Sequence, residues 1–212
     1  LLGVPGVCQA LSDISDATIS VALQIAVASV EATLGSRLPT RFSVIAMGRL
    51  GGQDVGYSSD ADAIFVHDPL PGADEATATK AATAVANELR RLLSLPCADP
   101  ELVIDADLRP EGRSGALVRS IASYSAYYAR WSSPWEAQAL LRARPLAGDE
   151  SLSAEFMELI DPLRWPVDGI SDPDVREVRR LKARMESERL PKGADPSLHV
   201  KLGRGGLSDV EW

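Results

Sequence analysis

Two apolar runs, Phe42 to Met47 and Ala61 to Val66, flank a stretch rich in glycine and polar residues. Each run is short enough to be a buried strand. Gly48, Gly51 and Gly52 break the first run, and glycine there lets the backbone come close to a ligand. Upstream, residues 9 to 34 read as an amphipathic helix rich in Ala, Val and Ile, ended by Gly35 and then Pro39. Downstream, P-L-P-G-A-D (69 to 74) turns into an Ala-rich helix over about Asp74 to Leu95, which Pro96 stops. Leu102 to Ala106 reads as a strand, R-P-E-G-R-S-G (109 to 115) as a turn, and Ala116 to Arg119 as a short strand returning in a hairpin. Helical patterns follow at about 120 to 131, 134 to 144, 149 to 160 and 173 to 190. Pro191 to Pro196 reads as a linker and Leu198 to Leu202 as a strand. The final L-S-D-V-E-W reads as a first helical turn that stops, so a piece of a longer protein is expected.

This order predicts an α+β fold. A small mixed sheet with helices occupies 1 to 120, and a helical region, the start of a bundle, occupies 121 to 212. A doubly wound sheet is excluded because strand–helix–strand units are too few.

Composition narrows the function. With 212 residues and 45% hydrophobic positions the chain can bury a real core. The formal charge of -8 argues against nucleic acid, which needs a basic surface. A nucleotide is still compatible, because a metal ion inverts the local field. Cys8 and Cys97 are too few for a disulfide framework or a cysteine zinc site. Asp13 and Asp16 interrupt the apolar N-terminal stretch, which lacks a charged leader and does not read as a signal peptide. The expectation is a cytoplasmic protein with neither a membrane nor a nucleic-acid partner.

The chemistry concentrates on Asp60 and Asp62. Residues two apart in a strand share a face, so these carboxylates project together beside the glycine-rich turn. Such a pair fits a solvated strand edge or a divalent metal with a phosphate; its place at a strand mouth favours the metal. Asp105, with Asp107 on the same face, is either a turn aspartate or the third acid of a cage for two Mg²⁺ ions about 3.5–4 Å apart. Gly51 and Gly52, followed by Ser59, either end a strand or cradle phosphate through backbone N–H groups. Neither a Walker loop nor a G-x-G-x-x-G fingerprint is present. Arg109 and Arg113 can bind phosphate in bidentate fashion or pair with nearby acids. The basic run Arg176, Arg179, Arg180, Lys182 and Arg184 is interleaved with Glu177, Glu186 and Glu188 and reads as a solvated helix face. Trp131, Trp135 and Trp165 read as helix-packing anchors, and His67 and His199 as isolated.

Four motifs in order carry a family resemblance. G-R-L-G-G-Q-D-V-G-Y-S-S-D-A-D-A-I-F-V-H-D resembles the signature of the bifunctional glutamine synthetase adenylyltransferase/adenylyl-removing enzymes, within the DNA polymerase β-like nucleotidyltransferase superfamily. V-I-D-A-D-L-R-P-E-G-R-S-G-A-L-V, W-E-A-Q-A-L-L-R-A-R and K-L-G-R-G-G-L-S-D-V-E-W are similar to further family segments. The resemblance covers nearly the whole chain. It implies a polymerase β-like fold, ATP as substrate, and transfer of AMP to a tyrosine of glutamine synthetase, with a PII-type signalling protein as a regulatory partner. It further implies that Asp60 and Asp62 bind two Mg²⁺ ions and that Asp105 binds the catalytic one. Gly51, Gly52 and Ser59 would hold the triphosphate, and Arg109 would contact phosphate or sit behind the site. The variants G-Y-S-S-D-A-D, W-E-A-Q-A-L and D-V-E-W look more like the C-terminal, adenylylating half of actinobacterial members. The phosphorolytic adenylyl-removing half and a nucleotide-sensing module without turnover are the alternatives. Asp107 departs from the pattern, since relatives often carry Arg there, and takes no role by resemblance.

Overall fold

In the computed structural model the described residues are 2–57, 59–96, 101–131, 133–203 and 205–211. Ser58, Cys97, Arg204 and Trp212, touched on above, lie outside them. The two apolar runs become β1 (Thr40–Ala46) and β2 (Ala61–Pro69), paired antiparallel from Thr40↔Pro69 to Ala46↔Ala63. Their side chains alternate between two cores. Phe42, Val44, Ala46, Ala61, Ala63 and Phe65 face one, and Ile45, Met47, Ile64 and Val66 face the other. A sheet apolar on both faces must be covered on both. Helices α1 (Val4–Leu34) and α3 (Glu75–Leu93) cover the first face. Helices α4 (Ile121–Trp131), α5 (Pro134–Leu140) and α6 (Glu150–Arg164) cover the second.

Helix starts follow local chemistry. Asp74 caps α3 by accepting from the Thr77 amide at 2.8 Å, and Asp149 caps α6 by accepting from the Leu152 amide at 2.8 Å. Ser133 and Glu136 form a capping box that starts α5. Helix α1 begins earlier than the expected residue 9, because Pro5 in its first turn presets φ where its missing N–H costs nothing. Among the described residues α1 is also the helix long and apolar enough to cross a membrane by length and composition. Its Ile19, Leu23, Ala26 and Val30 face pack into the first core.

Five strand, helix and packing expectations are corrected. β3 (Ile104–Asp105) is shorter than Leu102 to Ala106, and it does not form a hairpin with β4 (Val118–Ser120). Both strands instead pair parallel with β2 along the same side, β3 at Ala61 and Asp62 and β4 at Phe65 to His67. The 134-to-144 helix ends at Leu140, and β5 (Arg144–Gly148) adds to the outer side of β1 with a register shift between Val44 and Ile45. The sheet therefore runs β3-β2-β1-β5 with β4 also on β2. Leu198 to Leu202 is not a strand: it coils into turns, with the His199 carbonyl accepting from Gly203 at 2.7 Å and its Nδ1 from Leu202 at 3.0 Å.

Trp131 and Trp165 are not packing anchors, since each is 64% exposed and carries an arginine, Arg130 or Arg164, over its ring. Tyr124, Tyr128 and Phe156 fill that role, with ring centroids 5.9 and 5.0 Å from Tyr124 and the Tyr124 hydroxyl donating to the Phe65 carbonyl. Helix α7 (Asp172–Glu188) bears its basic run on a solvated face, where Arg180 pairs with Glu177 and Arg184 with Glu188. Lys182 differs: it pairs with Asp209 and ties α7 to the short α8 (Ser208–Glu211).

Candidate functional site

The site forms where β2 begins. Asp62 falls on the face of β2 that also carries Ile64 and Val66, at the end of the second core, and Asp60 immediately precedes the strand. Asp105 is the register partner of Asp62 across the parallel β2–β3 pair, so the two side chains stand next to each other on one face. Burial pushes the Asp62 carboxyl up to about 6, and the neighbouring charges of Asp105 and then Asp60 push the same way. Lys201 and Arg49 partly oppose that rise. The Asp105 Oδ1 accepts from the Asp107 amide at 2.7 Å, fixing its carboxylate as the chain leaves β3.

The glycine-rich turn between the strands is a one-turn helix, α2 (Gly48–Gly51). Gly48 has φ +50, and a Cβ there would lie 2.2 Å from the Asp62 Oδ2, so only glycine admits that carboxylate. Gly51 is buried and its amide donates to the Met47 carbonyl at 2.7 Å; the Gly52 amide donates to the Gly48 carbonyl at 3.0 Å. A Cβ on Gly51 would meet the Arg142 carbonyl oxygen at 2.0 Å. Both glycines therefore close the turn on itself and on the segment before β5, with amides directed inward. The Ser59 hydroxyl accepts from the Gly56 amide at 2.9 Å.

Asp60, Asp62 and Ser59 line a cavity of about 560 Å³. Gly51, Gly52, Asp105 and Arg109 are not part of its lining. Arg109 is 9% exposed and works as a clasp: its guanidinium donates to the carbonyls of Ala106, Arg113 and Gly115 at 2.8, 3.2 and 3.1 Å. It pins the loop that follows Asp105 from behind. Asp107 accepts from Arg113, whose guanidinium holds its carboxyl below the usual range. Among the described residues no three His, Cys, Asp or Glu side chains form a ready-made metal cage. The donor set nevertheless suits a hard cation: crowded, partly buried carboxylates that repel one another are what a divalent ion bound by oxygens relieves.

The rest of the lining comes from segments that the motif reading did not assign to the site. Arg49 follows Gly48, while Lys201 arrives from the turns after α7. Trp135, Gln138 and Ala139 line the cavity from α5, and Arg142 from just beyond its end. Their spacing of three, four and seven residues is one helical face, a signal present in W-E-A-Q-A-L-L-R. Arg142 pairs with Asp54 at 3.3 Å, and Glu136 of the same motif is buried, capping α5 and accepting from Tyr127.

Comparison with known proteins shows the family. The profile of the family described as glutamate-ammonia ligase adenylyltransferase matches residues 1–159. Similar proteins named bifunctional glutamine synthetase adenylyltransferase/adenylyl-removing enzyme come from Streptomyces avermitilis, 62% identical over 203 residues, and Nocardia farcinica, 54% identical over 212. The first alignment covers 96% of this chain and 20% of the relative, the second 100% and 21%. The protein of that name from Mycobacterium tuberculosis is 52% identical over 214 residues, covering all of this chain and 21% of its own length. The chain thus spans about 20% of the length of these relatives.

Proposed function

The chain belongs to the glutamate-ammonia ligase adenylyltransferase family, and on that footing we propose that it carries a polymerase β-like nucleotidyl-transfer centre that moves AMP from ATP to a tyrosine of glutamine synthetase. The observation that supports this best is the Asp62–Asp105 register beside Asp60, which gathers three carboxylates at one sheet edge. In this reading Asp60 and Asp62 would hold two Mg²⁺ ions, with Asp105 as a further ligand. Bound there, the metal would neutralise phosphate charge and lower the pKa of the attacking hydroxyl. Arg49 and Lys201, on the cavity wall near Asp62, offset the remaining negative charge of the triphosphate. Gly48 leaves room for the Asp62 carboxylate, and Arg109 keeps the loop behind Asp105 from shifting. The tyrosine oxygen bonds to the α-phosphorus as the bond to pyrophosphate breaks, and catalysis rests on positioning and charge. Ser59 stands at the cavity mouth as a phosphate contact; Gly51 and Gly52 act through the turn they close.

The adenylylating direction is the reading we favour. The same reading puts the chain in the cytoplasm, with a PII-type protein as its regulatory partner and without nucleic-acid or membrane contact. Two parallel reactions test the direction. Unmodified glutamine synthetase with Mg²⁺ and ATP labelled at the α-phosphate should gain label. Adenylylated synthetase with inorganic phosphate should yield no ADP; ADP without label transfer would assign the adenylyl-removing reaction instead.

A further inference from the structure

Trp135 occupies an unusual place among the described tryptophans. It is half-buried in the wall of the cavity that holds Asp60 and Asp62, on the α5 face shared with Gln138 and Ala139. Trp131 and Trp165 each lie under an arginine, whereas among the described residues the Trp135 ring makes no ring contact and its indole N–H no hydrogen bond. An unstacked aromatic face in a cavity wall is what a planar ligand would complete. Leu108 and Leu141 add apolar surface to the same cavity; of its cations, Arg49 and Lys201 lie toward Asp62, and Arg142 is paired with Asp54. The cavity is thus divided between groups suited to phosphate and metal and groups suited to a flat, partly apolar ring.

Resting on the nucleotidyl-transfer reading above, we propose that the α5 face reads the nucleobase: Trp135 stacks on the ring, and the Gln138 carboxamide hydrogen-bonds the base edge. A carboxamide offers one donor and one acceptor side by side, matching the donor–acceptor edge of adenine better than the double-acceptor edge of guanine. The W-E-A-Q-A-L stretch would then supply ATP selectivity, leaving the carboxylates to the chemistry.

The test measures equilibrium binding of ATP, GTP and tripolyphosphate with Mg²⁺ to the parent chain and to Trp135→Ala, Trp135→Phe and Gln138→Glu. Base–aromatic stacking is lost in Trp135→Ala, so ATP affinity should fall by about tenfold or more while tripolyphosphate affinity stays within about twofold. Trp135→Phe should recover most of the ATP affinity, which separates stacking from a folding defect. Gln138→Glu should weaken ATP binding, because an acceptor-only carboxylate keeps the contact to adenine N6–H₂ and loses the one to N7. It should not improve GTP binding, since the guanine edge offers two acceptors. Equal loss of ATP and tripolyphosphate in Trp135→Ala, or no loss of either, would overturn base reading by α5 and leave the transfer reading standing. A parent chain that binds neither ATP nor tripolyphosphate would overturn both.

Discussion

Replacing Gly51 with alanine separates a packing role from a phosphate-cradling one. The new methyl carbon would lie 2.0 Å from the Arg142 carbonyl oxygen and 2.9 Å from the Ala46 carbonyl oxygen, where real Cβ contacts under 3.0 Å essentially never occur. Both obstacles are backbone, one at the end of β1 and one in the segment entering β5, so neither swings aside as a side chain tip would. The sheet edge has to open by about 1 Å. Overpacking of this kind costs roughly 1–3 kcal/mol and more when the surroundings are rigid, so we expect about 3 kcal/mol. For a chain of this size that is a drop in Tm of about 6–12 °C. Gly52→Ala is the control: it is exposed, and its nearest neighbour is the flexible Arg142 side chain, with Cδ at 3.2 Å. It should stay within about 0.5 kcal/mol of the parent. Thermal and urea melts by circular dichroism of the three proteins, with ATP binding measured alongside, decide the matter. A Gly51→Ala protein that melts with the parent but binds ATP more weakly would refute the packing role and restore the phosphate cradle.

Further predictions come from residues around the site and the core. Gly48→Ala combines a left-handed φ, costing about 1–2 kcal/mol, with a clash on the Asp62 carboxylate; label transfer should fall further than the melt implies, and equal activity at the parent's Tm would contradict it. Arg109→Ala strands the carbonyls of Ala106, Arg113 and Gly115; we expect a loss of about 2–4 kcal/mol in urea, not rescued by Arg109→Lys, whose single ammonium lacks the fork. His67 is fully buried, with Nδ1 3.1 Å from the Thr40 hydroxyl and Nε2 3.2 Å from that of Thr79, and burial lowers its pKa below 6.5. The unfolded chain therefore binds the proton more readily, so stability is fully present above about pH 6.5 and declines as the pH falls below it, by at most about 1.4 kcal/mol per pH unit. Melts from pH 7.5 to 5.5 should show this slope, and His67→Gln should flatten that part of it; an unchanged slope would rule His67 out.

Much of the frame was readable because it is written in local periods. The β1 and β2 runs alternate over both cores, Asp74 caps its helix, and Asp60 and Asp62, two apart where β2 begins, line one cavity. What failed was partner choice. The turn-rich R-P-E-G-R-S-G stretch announces a reversal, yet nothing local says that β3 and β4 will both run parallel to β2. R-A-R-P-L-A-G carries neither alternation nor β-branched residues, and becomes β5 only because the β1 edge accepts it, with an irregularity next to Pro145. The glycines told where backbone must come close without saying to what: Gly48 makes room for a carboxylate, Gly51 for a carbonyl. The cavity was hidden for the same reason. Arg49, Trp135, Arg142 and Lys201 are gathered by tertiary packing from separate segments, and only the helical spacing within W-E-A-Q-A-L-L-R hinted at a shared face.

The most direct test of the carboxylate centre compares transfer of α-labelled AMP to glutamine synthetase by the parent chain and by Asp60→Asn, Asp62→Asn and Asp105→Asn, each first shown to melt near the parent. Removing a metal ligand forfeits several kcal/mol of charge stabilisation, so each variant should lose label transfer by about a thousandfold or more. A folded Asp62→Asn or Asp105→Asn protein that labels the synthetase at the parent's rate would contradict the account.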